Sequence, residues 1–524
     1  MRKTKSIALF PLNKGLDTDS IPGTQDPRSL SKSKNIIIRN RGSLKKAPGI
    51  ERLPYVGDDI GACQGACHFF ATTGGSQRSE VIRVIAGRIE AIRDGITVQL
   101  GTVHPTDVVV FERFANALIM HFENSPPRYY TIGGTLANLT LLSGHSASPP
   151  TFSRVHDFRL WLGGRPAAPH ILYVSEINDP NDYTLTSGGF SMRVNDGDGD
   201  PVGITGLSPP FRGDLFAFKW NTIYRIYRGS YTYGIDPLTN EVGCVHHNAM
   251  LALQNDVAFV SPYAIHSLSN TDKYGSVAEA TLSYPIFEYF QDIVNWSAAK
   301  NMVMSYDKPS NCVLLSFASS GSSENDKVLG WNIKSGEFFQ WDDVYYPVLA
   351  KYFDLGRQKT MVGSTDEGLG ILQEDLTTRF DEAIDTEFST GVLFPLGNPK
   401  AIVNFTKAWI FAKPTLDSVE FDFTYWINGD RIDTQTLNTE EGGATFGGTA
   451  GGVIGSAIIG TALIGKNKSD FIILEVELKG EGNSIQFQFT HEPPDTDADQ
   501  EFEILGLVYE VGFDELDSDQ PADI

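Results

Sequence analysis

Two short clusters hold the side chains with the most chemical potential: Cys63, Cys67 and His68 in one, Cys244, His246 and His247 in the other. Thiolates and imidazoles are the usual ligands of zinc, but neither cluster has the C-x2-C spacing with a distant matching pair that structural zinc sites show. With only four Cys in 524 residues there is no disulfide framework either, so buried free thiols are the expected state. A third candidate is Asn195-Asp196-Gly197-Asp198-Gly199-Asp200-Pro201, with acids at every second position as in a calcium loop. The EF-hand pattern needs a bidentate Glu where Leu207 stands, and Leu207 cannot ligate. The stretch is read as an exposed acidic turn.

The sequence contains no G-x-x-x-x-G-K-[ST], no H-E-x-x-H and no G-x-S-x-G, so phosphate-loop, zincin and nucleophile-elbow chemistries have no signature here. Carboxylates are plentiful, yet no two are marked as an acid–base pair. No catalytic residue, cofactor or metal is assigned, and an enzyme is not expected.

The elements around these residues read as strands. In 212–229, Leu215, Ala217 and Lys219 alternate with Phe216, Phe218 and Trp220, a polar turn follows, and Ile223 to Arg228 alternate again. The pair Val257–Val260 and Ala264–Leu268 repeats that layout. From about 60 to 375, strand–turn–strand units recur every ~30–50 residues, the spacing of four-stranded propeller blades, and roughly six to eight are expected. Phe216, Phe218 and Trp220, with Ile226 beside them, are expected between adjacent blades. Ser283–Lys300 is the best helical candidate, with Ile286, Tyr289, Ile293 and Trp296 near helical spacing. Glu374–Asp385 reads as a linker. Beyond it the strands lengthen and alternate cleanly, which points to a β-sandwich. The expected class is all-β, a β-propeller followed by a β-sandwich domain. The divisions are 1–53 (an N-terminal arm), 54–375 (propeller), 376–513 (sandwich) and 514–524 (acidic tail). The Gly-rich run 442–465 is read as a loop plus a covered strand.

Charge is unevenly spread. The net charge is −23, but residues 1–53 hold twelve Lys/Arg against four Asp/Glu, while Glu492–Ile524 holds twelve acids and no Lys or Arg. An acidic protein does not grip phosphates, although it can line a conduit through which nucleic acid slides. Lys45 and Lys46, with Arg39 and Arg41, are expected either at a solvated hairpin tip or against an acidic neighbour. There is no apolar stretch of ~18 residues, so no stable membrane insertion is expected. Ser6–Phe10 is too short for a signal h-region, and synthesis in the cytoplasm follows.

Three stretches resemble a known family. Asn13-Lys14-Gly15-Leu16-Asp17 with Asn35-Ile36-Ile37-Ile38-Arg39-Asn40-Arg41-Gly42-Ser43-Leu44-Lys45-Lys46-Ala47-Pro48-Gly49 is the first. The second runs over 175–270. It holds Ser175 and Asn178-Asp179-Pro180, with Tyr183 where the family usually has Trp. Trp220–Ile226, Glu241-Val242-Gly243-Cys244 and Asn255–Leu268 follow. The third lies near 480–513. In this order they resemble the tail nozzle, or tail-tube (packaged-DNA stabilisation), proteins of short-tailed bacteriophages. The resemblance implies a structural virion protein that forms a homo-hexameric ring of the tail tube below the portal and its adaptor. It implies contacts with the tail adaptor protein and with tail fibres or tailspikes. Double-stranded DNA would pass the channel without sequence-specific binding. The alternative from another class is a secreted or surface β-propeller that binds or hydrolyses glycans.

Overall fold

A computed structural model describes residues 2–39, 42–53, 61–195, 197–230, 232–269, 271, 281–415, 418–440, 458–459, 462–463, 471–494, 498 and 500–514. Residues 515–524 of the acidic tail 514–524 and most of the Gly-rich run 442–465 lie outside them. The chain forms two compact units, one of Met1–Ile50, Gly330–Asp342 and Gln373–Ile524, the other of Glu51–Leu329 and Asp343–Leu372. The dividing points therefore lie after Ile50, Leu329, Asp342 and Leu372. The first fifty residues fall in the same compact unit as the C-terminal strands.

The second unit is a succession of antiparallel sheets. Sheet one is Cys63–Thr73, Ser76–Ile85, Arg88–Arg93 and Ile96–Thr102. Sheet two begins at Val109–Phe114, sheet three at Phe152–His156 and sheet four at Gly206–Leu207, each with four strands in chain order. Sheet five holds Met250–Ala252, Val257–Val260 and Ile265–Ser267. Sheets six and seven start at Val303–Asp307 and Val348–Asp354. Meanders of this kind have two apolar faces and bury them only against neighbours like themselves. Phe69, Ile82 and Ile89 of sheet one pack on Val109, Leu118 and Tyr130 of sheet two. Ile119 meets Leu160 and Leu162, and Trp161 and Leu172 meet Leu215 and Tyr224. Cys63, Ala66 and Val81 of sheet one pack on Val348, Met361 and Leu369 of sheet seven, so the succession closes into a ring. First strands of most successive sheets adjoin one another. This is the arrangement of a β-propeller, with seven blades among the described residues.

The hairpin 215–228 forms as Leu215–Phe218 against Ile223–Arg228. Phe218 is fully buried, its ring 5.1 Å from that of Phe259 in sheet five. Ile226 differs from expectation. It pairs with Leu215 and shares the opposite face with Leu215, Ala217 and Tyr224, because directly paired residues of antiparallel strands point the same way. Trp220 lies past the strand end. The helical candidate is shorter than its periodicity suggested. An α-helix spans only Phe287–Ile293, and Asn295 caps a separate 3-10 segment, Trp296–Asn301.

In the first unit, one sheet holds Ile36–Ile38, Leu44–Lys46, Glu503–Asp514, Val403–Ala412 and Ile472–Glu477 in that order, and Arg2–Leu9 also pairs with Glu503–Asp514. The other is Leu30–Lys34, Thr386–Thr390, Ile485–His491, Glu420–Ile427 and Asp430–Asn438. Ile485–His491 alternates buried and half-buried along its length, the mark of a strand with one face turned inward. Aromatic rings meet between the sheets, Phe487 at 5.4 Å from Tyr509 and Phe421 at 5.1 Å from Phe502. The stretch read as a linker contributes a small hairpin, Thr378–Arg379 against Glu382–Ala383.

The basic N-terminal cluster finds its acids within the chain. Lys45 Nζ is 3.0 Å from Glu501 and Arg39 3.4 Å from Glu503, and buried Lys46 donates to Gln500 O at 3.2 Å. Neither a solvated tip nor a neighbouring subunit is needed to account for Arg39, Lys45 and Lys46. Arg41 lies outside the described residues. Deleting residues 1–50 strips both partner strands from one edge of Glu503–Asp514 and leaves Glu503, 5% exposed, without Arg39. An unpaired apolar edge recruits other chains. The truncated protein is expected in the insoluble fraction. A soluble, monodisperse truncation would contradict this docking.

Candidate functional site

The first strands of sheets one, two, six and seven, with Asn248 and Ser323, Glu324 and Asn325, line a cavity of about 390 Å³. The first two strands approach closely because Gly65 has no side chain. A Cβ there would lie 2.7 Å from Val109 Cβ and 2.9 Å from the Phe111 ring. The walls mix Cys63, Val109, Phe111, Val303 and Val348 with amide side chains.

Each amide nitrogen donates to at least one backbone carbonyl. Gln64 donates to His104 O and Asp107 O at 2.9 and 3.0 Å, Asn248 to Val109 O at 3.2 Å, and Asn301 to Ser323 O at 3.2 Å. Asn325 donates to Asn301 O at 2.7 Å, which fixes its amide orientation and leaves Oδ1 without a partner at 2% exposure. Asp107 is saturated, accepting from Asn124 N, Asn124 Nδ2 and Ser125 Oγ at 2.7, 3.0 and 2.6 Å.

The sequence candidates lie in different places. Cys63 and Cys67 share a strand but not a face. A bulge at Gln64 shifts the register, so Cys63 packs toward sheet seven and Cys67 toward sheet two. Burial pushes the Cys63, Cys67 and Cys244 thiols up to about 12, so all three are neutral. His68 stacks on Tyr352 with centroids 4.7 Å apart. His247 is held neutral by burial and by Arg154, whose Nη2 lies 2.9 Å from Nε2. Among the described residues no group of His, Cys, Asp and Glu is arranged to hold a metal ion.

The acidic turn is a correction. Asp198 and Asp200 are not exposed. The ammonium of Lys219, itself fully buried, sits 2.8 Å from both Asp198 oxygens and 2.9 Å from Asn195 O. Tyr224 donates to Asp198 at 2.6 Å, and Asp200 accepts from Asn221 N at 2.7 Å. Burial works against ionisation of Asp198, but the bonds from Lys219 and Tyr224 outweigh it and hold the carboxyl below its usual range. The place a loop cation would fill is taken by a side chain of the same protein. Asp196 lies outside the described residues.

Two Ser–His contacts escaped the sequence reading, since 32 and 5 residues separate the partners and no motif joins them. Ser153 Oγ is 2.9 Å from His121 Nε2, and Ser261 Oγ 2.9 Å from His266 Nε2. His121 Nδ1 faces Pro150 O at 3.0 Å, so Nδ1 carries the proton and Nε2 accepts from the serine. Ser153 and His121 are both fully buried, and no substrate reaches them. They satisfy each other rather than react.

Burial lowers His121 and His266 to about 4, against 6.5 for a free imidazole. The unfolded chain therefore binds more protons between those values, and stability, fully present above pH 6.5, falls as pH drops toward 4. Urea midpoints measured across that window are expected to decline steeply. His121→Gln should flatten the slope, and an unchanged slope would contradict the neutral buried state.

No protein-family model matches the chain, and no curated protein matches it. Solved structures with similarity include the extracellular domain of a putative hybrid two-component system from B. thetaiotaomicron, at 10% identity and TM-score 0.42, covering 79% of this chain and 62% of that one. A second extracellular domain from the same organism gives 11% identity and 0.41, covering 87% and 64%. YCF48 from Cyanidioschyzon merolae gives 11% and 0.37, covering 62% and 98%. Scores of this size carry no conclusion about this chain. The propeller assignment rests on its own strand order and sheet packing.

Proposed function

We propose that the chain is a structural subunit of the tail tube of a short-tailed bacteriophage. On this reading it is a β-propeller joined to a β-sandwich that assembles as a homo-hexameric ring beneath portal and adaptor. It receives fibres or tailspikes, conducts double-stranded DNA and retains it before ejection. One observation carries the reading. The resembling stretches near 13–50 and 480–513, at opposite ends of the sequence, supply adjacent strands of one sheet, with Leu44 paired to Ile504 and Lys45 to Glu503. The third, 175–270, builds sheets four and five from the edge of sheet three. What is shared with that family is thus framework, not a pocket.

A second reading is a secreted or surface propeller that binds or hydrolyses glycans. The ligand-sized cavity favours it, and the extracellular domains above accord with it without carrying it. Sedimentation of the purified full chain separates the two. The first reading predicts a hexamer, or hexamer formation on addition of an adaptor ring, and the second a monomer that retains a glycan.

A further inference from the structure

We propose that an open groove on the propeller unit docks an acidic peptide segment that carries an aliphatic side chain between its carboxylates. The groove, of about 650 Å³, is lined by Phe70, Arg78 and Ser79 of sheet one, Arg113 of sheet two, and Phe353 and Leu355 of sheet seven. It lies where the first strands of these three blades turn into the second. Its apolar part is a cluster of rings. Phe70 meets Phe353 edge-on at 5.6 Å and His68 at 4.3 Å, and the Phe353 N–H donates to His68 Nδ1 at 3.0 Å, which ties sheet one to sheet seven. Leu355 is 99% exposed and Phe353 40%. Leu355 opens the two-residue turn Leu355-Gly356 with φ +46°, followed by +78° at Gly356. Such a turn favours Asn or Asp before Gly, as at Asp94-Gly95, and a bulky side chain in it is strained. Nothing within the chain offsets that strain, because almost the whole of Leu355 is open to solvent. A strained and exposed apolar residue beside exposed rings marks a binding surface.

The charge comes from two guanidinium groups. Arg83, Arg93 and Arg154 of sheets one and three each have a carboxylate at 3.0 Å or closer. Arg78 and Arg113, both exposed, meet none among the described residues, and Arg113 Nε donates to Ala115 O at 3.2 Å. No Asp or Glu lines the groove, and Asp354 beside it is held by Lys359 at 3.1 Å. In a chain of net charge −23, two cations without an acid are complementary to a partner that brings carboxylates. Guanidinium groups bind carboxylates through paired N–H donors. A nucleic-acid strand is the poorer match. The two Phe rings stand edge-on to each other, Leu355 has no ring for a base to stack on, and a chain of this charge repels a phosphate backbone.

The probe is a capped, fluorescently labelled peptide of the order Glu-Asp-Leu-Asp-Glu, titrated into the full chain at about 0.05 M and about 0.3 M salt. Binding is read by fluorescence anisotropy. Three controls run in parallel. Gln-Asn-Leu-Asn-Gln keeps the leucine without charge, Glu-Asp-Gly-Asp-Glu keeps the charge without the leucine, and a labelled oligothymidine supplies phosphates and bases. Saturable binding of the first peptide is expected, weaker at the higher salt, with each control about tenfold or more weaker. Arg78→Gln and Arg113→Gln, both at exposed positions, should each weaken the peptide by about fivefold or more and leave the unfolding midpoint unchanged. Leu355→Asn separates binding from folding. Asparagine suits the positive φ, so this variant should keep or raise the unfolding midpoint while it weakens the peptide by about fivefold or more. Absence of saturation at millimolar peptide, equal binding of either control peptide, or unchanged affinity in Leu355→Asn or in both arginine variants overturns the proposal. Preference for oligothymidine overturns it too, and would make the groove a nucleic-acid contact. The groove lies within one propeller unit, so none of these outcomes bears on ring assembly.

Discussion

Lys219→Met is expected to cost about 3–5 kcal/mol, the range for removing one partner of a buried ion pair. The methionine keeps the apolar stem. The loss is the ammonium, which bridges both Asp198 oxygens at 2.8 Å and Asn195 O at 2.9 Å with no exposed side-chain surface. Asp198, its side chain 7% exposed, would keep the Tyr224 hydroxyl at 2.6 Å and the Asp200 N–H at 3.1 Å, with Thr222 Oγ1 at 3.4 Å. Adding Asp198→Asn should recover much of the loss, since the second change removes the stranded charge. Denaturant melts of the two variants and the parent measure both terms. The parent should show no shift with millimolar calcium, because the ammonium already fills the loop. A neutral Lys219→Met, or a parent stabilised by calcium, would contradict the arrangement.

Phe218→Ala is expected to cost about 3–5 kcal/mol, as large-to-small changes of buried aromatics do. The ring is fully buried and lies 5.1 Å from Phe259 on the facing sheet, so truncation opens a hole that neither sheet closes alone. The defect sits between sheets four and five, and local amide exchange there should rise before global unfolding does. Phe259→Ala should lose less in the Phe218→Ala background than alone, because the two rings share one contact. Additive losses would mean that the rings do not pack together as described.

These two residues show what the sequence made legible. Phe218 was found by period-two alternation, which needs nothing beyond the strand itself. Ile226, expected beside it, pairs with Leu215 on the opposite face instead, because the register across a turn depends on turn length and a two-strand pattern leaves it open. Lys219 lies in the same strand pattern, but its acid, Asp198, stands 21 residues earlier. The acidic turn looked like a cation loop because nothing local reveals that the cation is a side chain. Cys63 and Cys67 mislead in the same way, since the bulge at Gln64 changes face between them without any glycine–proline signal at that residue. The pairing of Arg2–Leu9 and Leu44–Lys46 with Glu503–Asp514 spans nearly the whole chain. The charge split points only to a solvated tip or an acidic neighbour, whereas Lys45 and Arg39 meet Glu501 and Glu503 of the same chain. The cavity was invisible, for it exists only where first strands of different sheets converge.

Negative-stain or cryo-electron microscopy of the purified full-length protein, alone and with an adaptor ring, tests the central proposal most directly. The account predicts particles with six-fold symmetry around an open axial passage wide enough for duplex DNA, each subunit showing a propeller-sized lobe. Monomeric particles without symmetry under both conditions would contradict it.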